Sequence, residues 1–247
     1  MTLVAPTRAL VLASVAALGL LASAGCNHPK LLLDANAENL RTARTVASAF
    51  YRTYGAEVGL ADVPFVTVGV EGGPGYSYDV AHNVLFVTPY SHADFDTQKF
   101  FARAAADYRG EPVYDELLFR FFVAHQLMHL VYDELALVEV PEYEEERRIH
   151  TLAWLFLERQ GLTGAVEHEL LETCDRLVAQ LASRFPSLRG ADAQAHRGLL
   201  VDDNASYWYV NAHGIREARA EARRVGSEPN YIAELSGSAP SAGTVGR

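Results

Sequence analysis

The chain has 247 residues, 49% of them hydrophobic, and carries 21 basic against 31 acidic side chains, a formal net charge of −10. An acidic balance of that size disfavours nucleic acid and anionic lipid surfaces as binding partners. Two cysteines in the whole chain supply no disulfide framework, so the fold has to rest on a core of its own.

Residues 1–25 read as a lipoprotein-type signal peptide. MTLVAPTR carries one cation, Arg8, and ALVLASVAALGLLASAG is an uncharged apolar run. The run is short and rich in Ala and Gly, and it ends in small residues, the pattern of an export signal rather than a spanning helix. Leu21-Ala22-Ser23-Ala24-Gly25-Cys26 resembles a bacterial lipobox, with Ser23 where Leu is commoner. That resemblance implies cleavage before Cys26, lipid on its thiol, and an exported bacterial lipoprotein anchored at a membrane, periplasmic or cell-surface, without a spanning helix. Cleavage removes Arg8 and leaves a charge of about −11. Cys174 then has no partner, and within VEHELLETCDRLVAQL it reads as a small buried hydrophobe on a helix.

Residues 26–34 form a tether, 35–225 a single domain, and 226–247 a tail. From Ala35 to about Tyr54, Leu40, Ala43, Val46, Ala47 and Phe50 recur at helical spacing, which predicts an amphipathic helix. ADVPFVTVGV and YSYDVAHNVLFVTPY have β character, separated by the turn chemistry of EGGPG, with a second turn at Ala81-His82-Asn83. Pro89 predicts that the strand NVLFVT ends there or lies at a sheet edge. Helices follow near 97–108, 113–134, 143–160, 165–185 and 212–225. The Ser/Gly/Ala/Pro-rich tail from Gly226 reads as disordered. A small sheet followed by several helices is an α+β fold.

The chemistry concentrates in FRFFVAHQLMHLVYDEL. His125 and His129 are four apart, so on a helix both imidazoles lie on one face and can reach one metal ion. Leu118, Phe121, Phe122, Met128 and Tyr132 share that side of the helical wheel, placing the pair on the core stripe. A buried imidazole needs partners for both ring nitrogens, which a metal and an outer acceptor supply. A third protein ligand is then expected. In EYEEERRIHTLAW the core stripe Ile149, Leu152, Ala153 and Phe156 projects back onto Glu145 and Glu146, so either carboxylate can face the histidines. His150 is one turn beyond Glu146, as a ligand or an outer partner. The same acidic turn equally complements a helix N-terminus with its charges in water.

FVAHQLMHLVYDELALVEVPEYEEERRIHTLAWLFL resembles a bacterial metallopeptidase family whose members carry HELGH, then LDLPV, then EEDAADQ leading into an apolar helix. The likeness covers roughly residues 65–160, with a weaker echo in YWYVNAHG. It implies a gluzincin-like fold, a small sheet with an edge strand on a zincin-like helical core, zinc held by His125, His129 and Glu146 (Glu145 next), and peptide hydrolysis. The chain departs from the family pattern at Gln126, where the general-base Glu stands, at Met128, and at Ile149-His150 in place of Ala-Asp.

Gln126 bears directly on mechanism. In HExxH chemistry the metal acidifies a water and the Glu takes its proton. A carboxamide can hydrogen-bond that water but cannot accept its proton. An active enzyme needs another base: Glu134 points elsewhere, and His150 is the better candidate. Tyr207, Tyr209 and His213 are candidates for an oxyanion donor, though SYWYV equally suits core packing. Three readings result. One is a zinc-binding but catalytically impaired protein that takes an extended peptide or protein partner along an edge strand, Asn83, Val84, Leu85, Phe86 and Val87. The second is an active peptidase with a substitute base, and the third a metal-free structural or interaction domain.

Overall fold

The computed structural model describes residues 37–69, 75–104, 110, 114–115, 117–135, 140–163, 171–172, 174–179, 182–183 and 204–237. Helix α1 spans Ala37–Tyr54, and its Leu40, Ala43, Val46, Ala47, Phe50 and Tyr54 are all buried. Those positions form one stripe at 3.6-residue spacing, so the sequence pattern and the buried face coincide. Each large side chain buried this way contributes about 1.5–3 kcal/mol.

Three short strands follow: β1 (Phe65–Val68), β2 (Tyr76–Asp79) and β3 (Val84–Val87). Their order is β1-β3-β2, with β1 parallel and β2 antiparallel to β3. The β2–β3 turn is held by Asn83 at φ 54°, a left-handed conformation that Asn tolerates better than most residues. Its side chain accepts from the Tyr78 hydroxyl at 2.6 Å and donates to the Asp62 carbonyl at 2.9 Å.

The expected edge strand is corrected here. Val84, Leu85, Phe86 and Val87 form the central strand, paired on both sides, and Asn83 lies in the turn. None of the five offers a free backbone edge to a peptide. Pro89 misleads because it falls past the last strand residue and starts the 3₁₀ turn Tyr90–His92, where its missing N–H costs no ladder bond.

Helix α2 covers Phe95–Ala104. A π-helical segment, Leu117–Phe122, then runs directly into α3, Val123–Glu134, where one continuous α-helix over 113–134 was expected. Helix α4 covers Glu142–Arg159 and α5 covers Asn204–Val225; α5 begins eight residues earlier than the expected 212–225. Of the expected helix at 165–185, the described residues 171–172, 174–179 and 182–183 are helical. Cys174 is free and buried, and burial pushes its thiol up to about 12.

The tail is a second correction. Residues Glu228–Leu235 form a helix, α6, capped by the Ser227 side chain accepting from the Asn230 N–H, with Pro in its first turn. Tyr231 is buried, and Ile232 and Leu235 pack on the core. Small and polar residues around this segment hide an N-cap and an apolar stripe. The domain therefore continues beyond residue 225, while residues 1–36, with Cys26, and 238–247 lie outside the described part.

The main packing is helical: α4 lies against α3 on one side and α5 on another, with α1 against α3 and the sheet. The chain is thus mostly helical with a small mixed sheet, an α+β fold. Among the described residues no helix is long and apolar enough to cross a membrane.

Candidate metal centre

Helix α3 carries His125 and His129, and α4 carries Glu146 and His150, each pair one turn apart. The packing of α3 on α4 brings the pairs together. His125 is buried (1% exposed), as is His150 (3%), while His129 and Glu146 are partly accessible, with 28% and 37% of their side chains exposed.

The π-helical segment sets the face that α3 presents. By adding a residue to the turn it lets Leu117, Phe119, Phe121 and Phe122 all enter the core, a density that a regular amphipathic stripe does not allow. Tyr76 from β2 stacks on Phe122 with ring centres 4.6 Å apart and meets the His125 ring edge-on at 6.2 Å. Aromatic groups from two elements thus wall His125 and leave its Nε2 facing α4.

That nitrogen lies 3.2 Å from His129 Nε2 and 3.3 Å from Glu146 Oε2, and His129 Nε2 lies 3.8 Å from Glu146 Oε1. Zinc bonds of about 2.0–2.1 Å in a tetrahedral site separate neighbouring donors by about 3.4 Å. The two contacts of His125 lie near that value, while the contact of His129 with Glu146 is longer and falls on the other carboxylate oxygen. Donor atoms of His125, Glu146 and His150 also lie within 4.8 Å of one another, so this buried group can hold a metal ion.

The three consecutive glutamates near the α4 N-terminus, Glu144, Glu145 and Glu146, separate by role. Glu144 accepts from Arg147 at 2.8 and 2.9 Å and from Arg148 at 3.0 Å, which holds its carboxyl below the usual range. Glu145 is raised by burial and by the Glu146 and Asp133 charges, and it stands outside the donor group. Glu146 alone turns to the histidines. Burial pulls its carboxyl upward, but the hydrogen bond and charge of His125, with His150 and His129 behind, outweigh that and hold it at about 2. Burial first, and then His125, press His129 down to about 4 and His150 to about 3. His129 and His150 are therefore neutral and the Glu146 carboxylate ionised at pH 7, protonation states that metal binding requires.

His150 has a distinct environment. Its ring stacks on Phe121 at 5.5 Å and 11°, and its centre is 4.5 Å from that of His125. Neither ring nitrogen makes a well-formed hydrogen bond to the described residues, although the Glu146 backbone carbonyl one turn back opposes the lowering that burial imposes. A Cβ built on Gly214 of α5 would stand 3.2 Å from His150 Nδ1, so only glycine leaves the ring its full room. Sequence reasoning placed His150 correctly on the helix but missed Gly214, which sits far away in the chain and has no spacing signal.

The remaining candidates stand apart from this group. Gln126 is half-buried beside the pair, and Glu134 is exposed. His213 is half-buried on α5, lowered by burial and by Arg216, and is not among the clustered donors. Tyr207 and Tyr209 lie on the α5 backbone, their side chains outside the described residues.

No family model, curated protein or solved structure matches this chain.

Proposed function

We propose that this is an exported, lipid-anchored zinc-binding protein of metallopeptidase-like design that does not carry out ordinary peptide hydrolysis. The observation that carries this is the convergence of His125 and His129 Nε2 on the Glu146 carboxylate at spacings suited to one tetrahedral ion. Three nitrogen and oxygen donors of this kind suit zinc, and thiolates play no part. Zinc would supply Lewis acidity at this point. Gln126, in the place of the general base, takes no proton, and a positioned base typically contributes about 10²–10⁴ in rate.

The metal-free alternative has its own support, since the 3.2 Å His125–His129 contact and the Glu146 contacts can be ordinary hydrogen bonds. His150 weighs against it. A fully buried imidazole with two unpartnered nitrogens costs about 1–3 kcal/mol per group, and a metal nearby removes part of that cost. A peptide or protein partner in extended form would pair with the outer side of β2, whose one strand partner among the described residues is β3 and whose Tyr76 touches His125. Export and the lipid anchor rest on the lipobox-like segment ending at Cys26.

Elemental analysis of the purified protein, beside a His125→Ala/His129→Ala variant, tests the reading. About one zinc per chain, lost in the variant, is the expected result. No metal above background in a folded wild-type protein would sink it and leave the histidines as core residues.

A further inference from the structure

His150 is enclosed on every side, yet it lies among the metal donors rather than behind them. Its ring is fixed between Phe121, Phe122 and His125, and Gly214 makes room for its Nδ1 edge. Neither nitrogen makes a well-formed hydrogen bond among the described residues, the Glu146 backbone carbonyl one turn back included. A histidine that merely oriented another ligand would show a hydrogen bond to that ligand or to an outer acceptor. Instead its donor atom joins those of His125 and Glu146 within 4.8 Å. The widest of these spacings has to contract by about 1.4 Å, and His129, which stands outside that group of three, has to draw toward His150, to reach tetrahedral zinc geometry.

We infer that His150 is the fourth ligand of the metal bound by His125, His129 and Glu146, and that the resulting three-histidine, one-glutamate set closes the coordination sphere. This rests on the zinc reading above and changes its meaning. Catalytic zinc keeps one position for water or substrate, whereas structural zinc has four protein ligands. With all four positions filled, no metal-bound water awaits deprotonation, and a carboxamide at position 126 costs the protein nothing. Two separate features, the enclosed His150 and the Gln at 126, thus agree on one role. The ion clamps α3 to α4 in a fold whose described residues contain no disulfide.

Cobalt(II) replacing zinc in the full-length protein reports coordination directly, because its visible absorption depends on ligand number and geometry. Azide is the probe, a small anion that enters an open position. The expected wild-type spectrum is that of a four-coordinate site and does not respond to azide. His150→Ala should alter the spectrum, make it titrate with azide, and weaken zinc binding by about 100-fold or more, beyond the ~10–100-fold that loss of an outer hydrogen-bonding partner costs. His150→Gln repeats the comparison with most of the side-chain volume kept. A wild-type cobalt spectrum that titrates with azide, and stays unchanged in either His150 variant, would overturn closure while leaving metal binding intact. Failure of the wild-type protein to bind cobalt or zinc at all would overturn both. The wild-type azide response decides the question even if neither variant folds.

Discussion

His125 Nε2 and Glu146 Oε2 face each other at 3.3 Å from consecutive helices, with 20 residues between them in the chain. The packing of α3 on α4 brings them together. A charged carboxylate beside a buried imidazole has to gain something from the contact, since desolvation opposes it. A shared cation would supply that gain.

The contrast between adjacent glutamates is the sharpest check on the ligand set. Glu146→Gln should weaken zinc binding by about 100-fold, because it removes a charged donor from the centre. Glu145→Gln should leave affinity unchanged within about threefold, a near-zero effect for a side chain outside the group. Competition against a chromophoric chelator measures both. Equal losses in the two variants would mean that the acidic turn acts only through its overall charge.

Restoring the missing base gives a second test. Gln126→Glu alone should produce no peptidase activity on an unstructured fluorogenic peptide, because a closed centre offers no water to activate. Combined with His150→Ala, the same change should raise hydrolysis by about 10² over the His150→Ala variant. A comparable gain from Gln126→Glu by itself would show that a coordination position is already open.

Gly214→Ala sets two effects against each other. Alanine is favoured over glycine within a helix by about 0.8–1.0 kcal/mol. Its Cβ would sit 3.2 Å from His150 Nδ1, and that ring is held by Phe121 and His125 and has little freedom to retreat. We expect thermal stability of the metal-free protein to change by less than about 1 kcal/mol. Zinc affinity should nevertheless fall about tenfold, since a displaced ligand must be pulled back into place. Unchanged affinity would show that the ring is not a ligand.

The C-terminal helix should prove to be part of the core. Tyr231→Ala removes a ring that is 2% exposed and should cost about 3–5 kcal/mol. Ser227→Ala removes the cap and should cost about 1 kcal/mol. Urea denaturation separates these values from the near-zero effects that a disordered tail would give.

Glu228 supplies a pH signature remote from the metal centre. Its side chain is fully buried beside Arg159, whose Nη1 donates to it at 3.0 Å. Burial raises its carboxyl above the ordinary value against the opposing pull of Tyr54 and Arg159. A raised carboxyl contributes stability that is full below about pH 4.5 and is lost as pH rises through the folded-state value. Wild-type protein should therefore lose stability relative to Glu228→Gln between pH 4.5 and neutrality. Parallel curves for the two proteins across that range would show that Arg159 compensates the burial completely.

What the sequence made legible follows from what periodicity encodes. The stripe of α1, the placement of His125 and His129 on a core-facing helix, and the turn at Ala81-His82-Asn83 all depend on local spacing, and all are found in the fold. The phase of α4 narrowed the third ligand to Glu145 or Glu146, and only the family resemblance ranked Glu146 first. Strand order did not follow, because β3 is central through long-range pairing that no residue of VLFV announces. Helix α6 was obscured by the small polar residues around it, although Ser227 and Pro229 mark its start. Gly214 was invisible for a different reason: a close approach between α4 and α5 leaves no trace in either segment alone.

The π-helical segment Leu117–Phe122 has a consequence for how this protein can vary in length. Upstream, Asp115 accepts from the Asn39 side chain at 2.8 Å and from the Tyr90 N–H at 3.0 Å, which pins that end to α1 and to the 3₁₀ turn after β3. Downstream, His125 and His129 must meet Glu146. The extra residue in the π turn reconciles these two anchors. Deleting any one residue between 117 and 122 would restore regular winding and turn one anchor by about 100° relative to the other, with a shift of about 1.5 Å along the axis. Side chains within the segment can be exchanged for others of similar size, but its residue count is fixed at both ends.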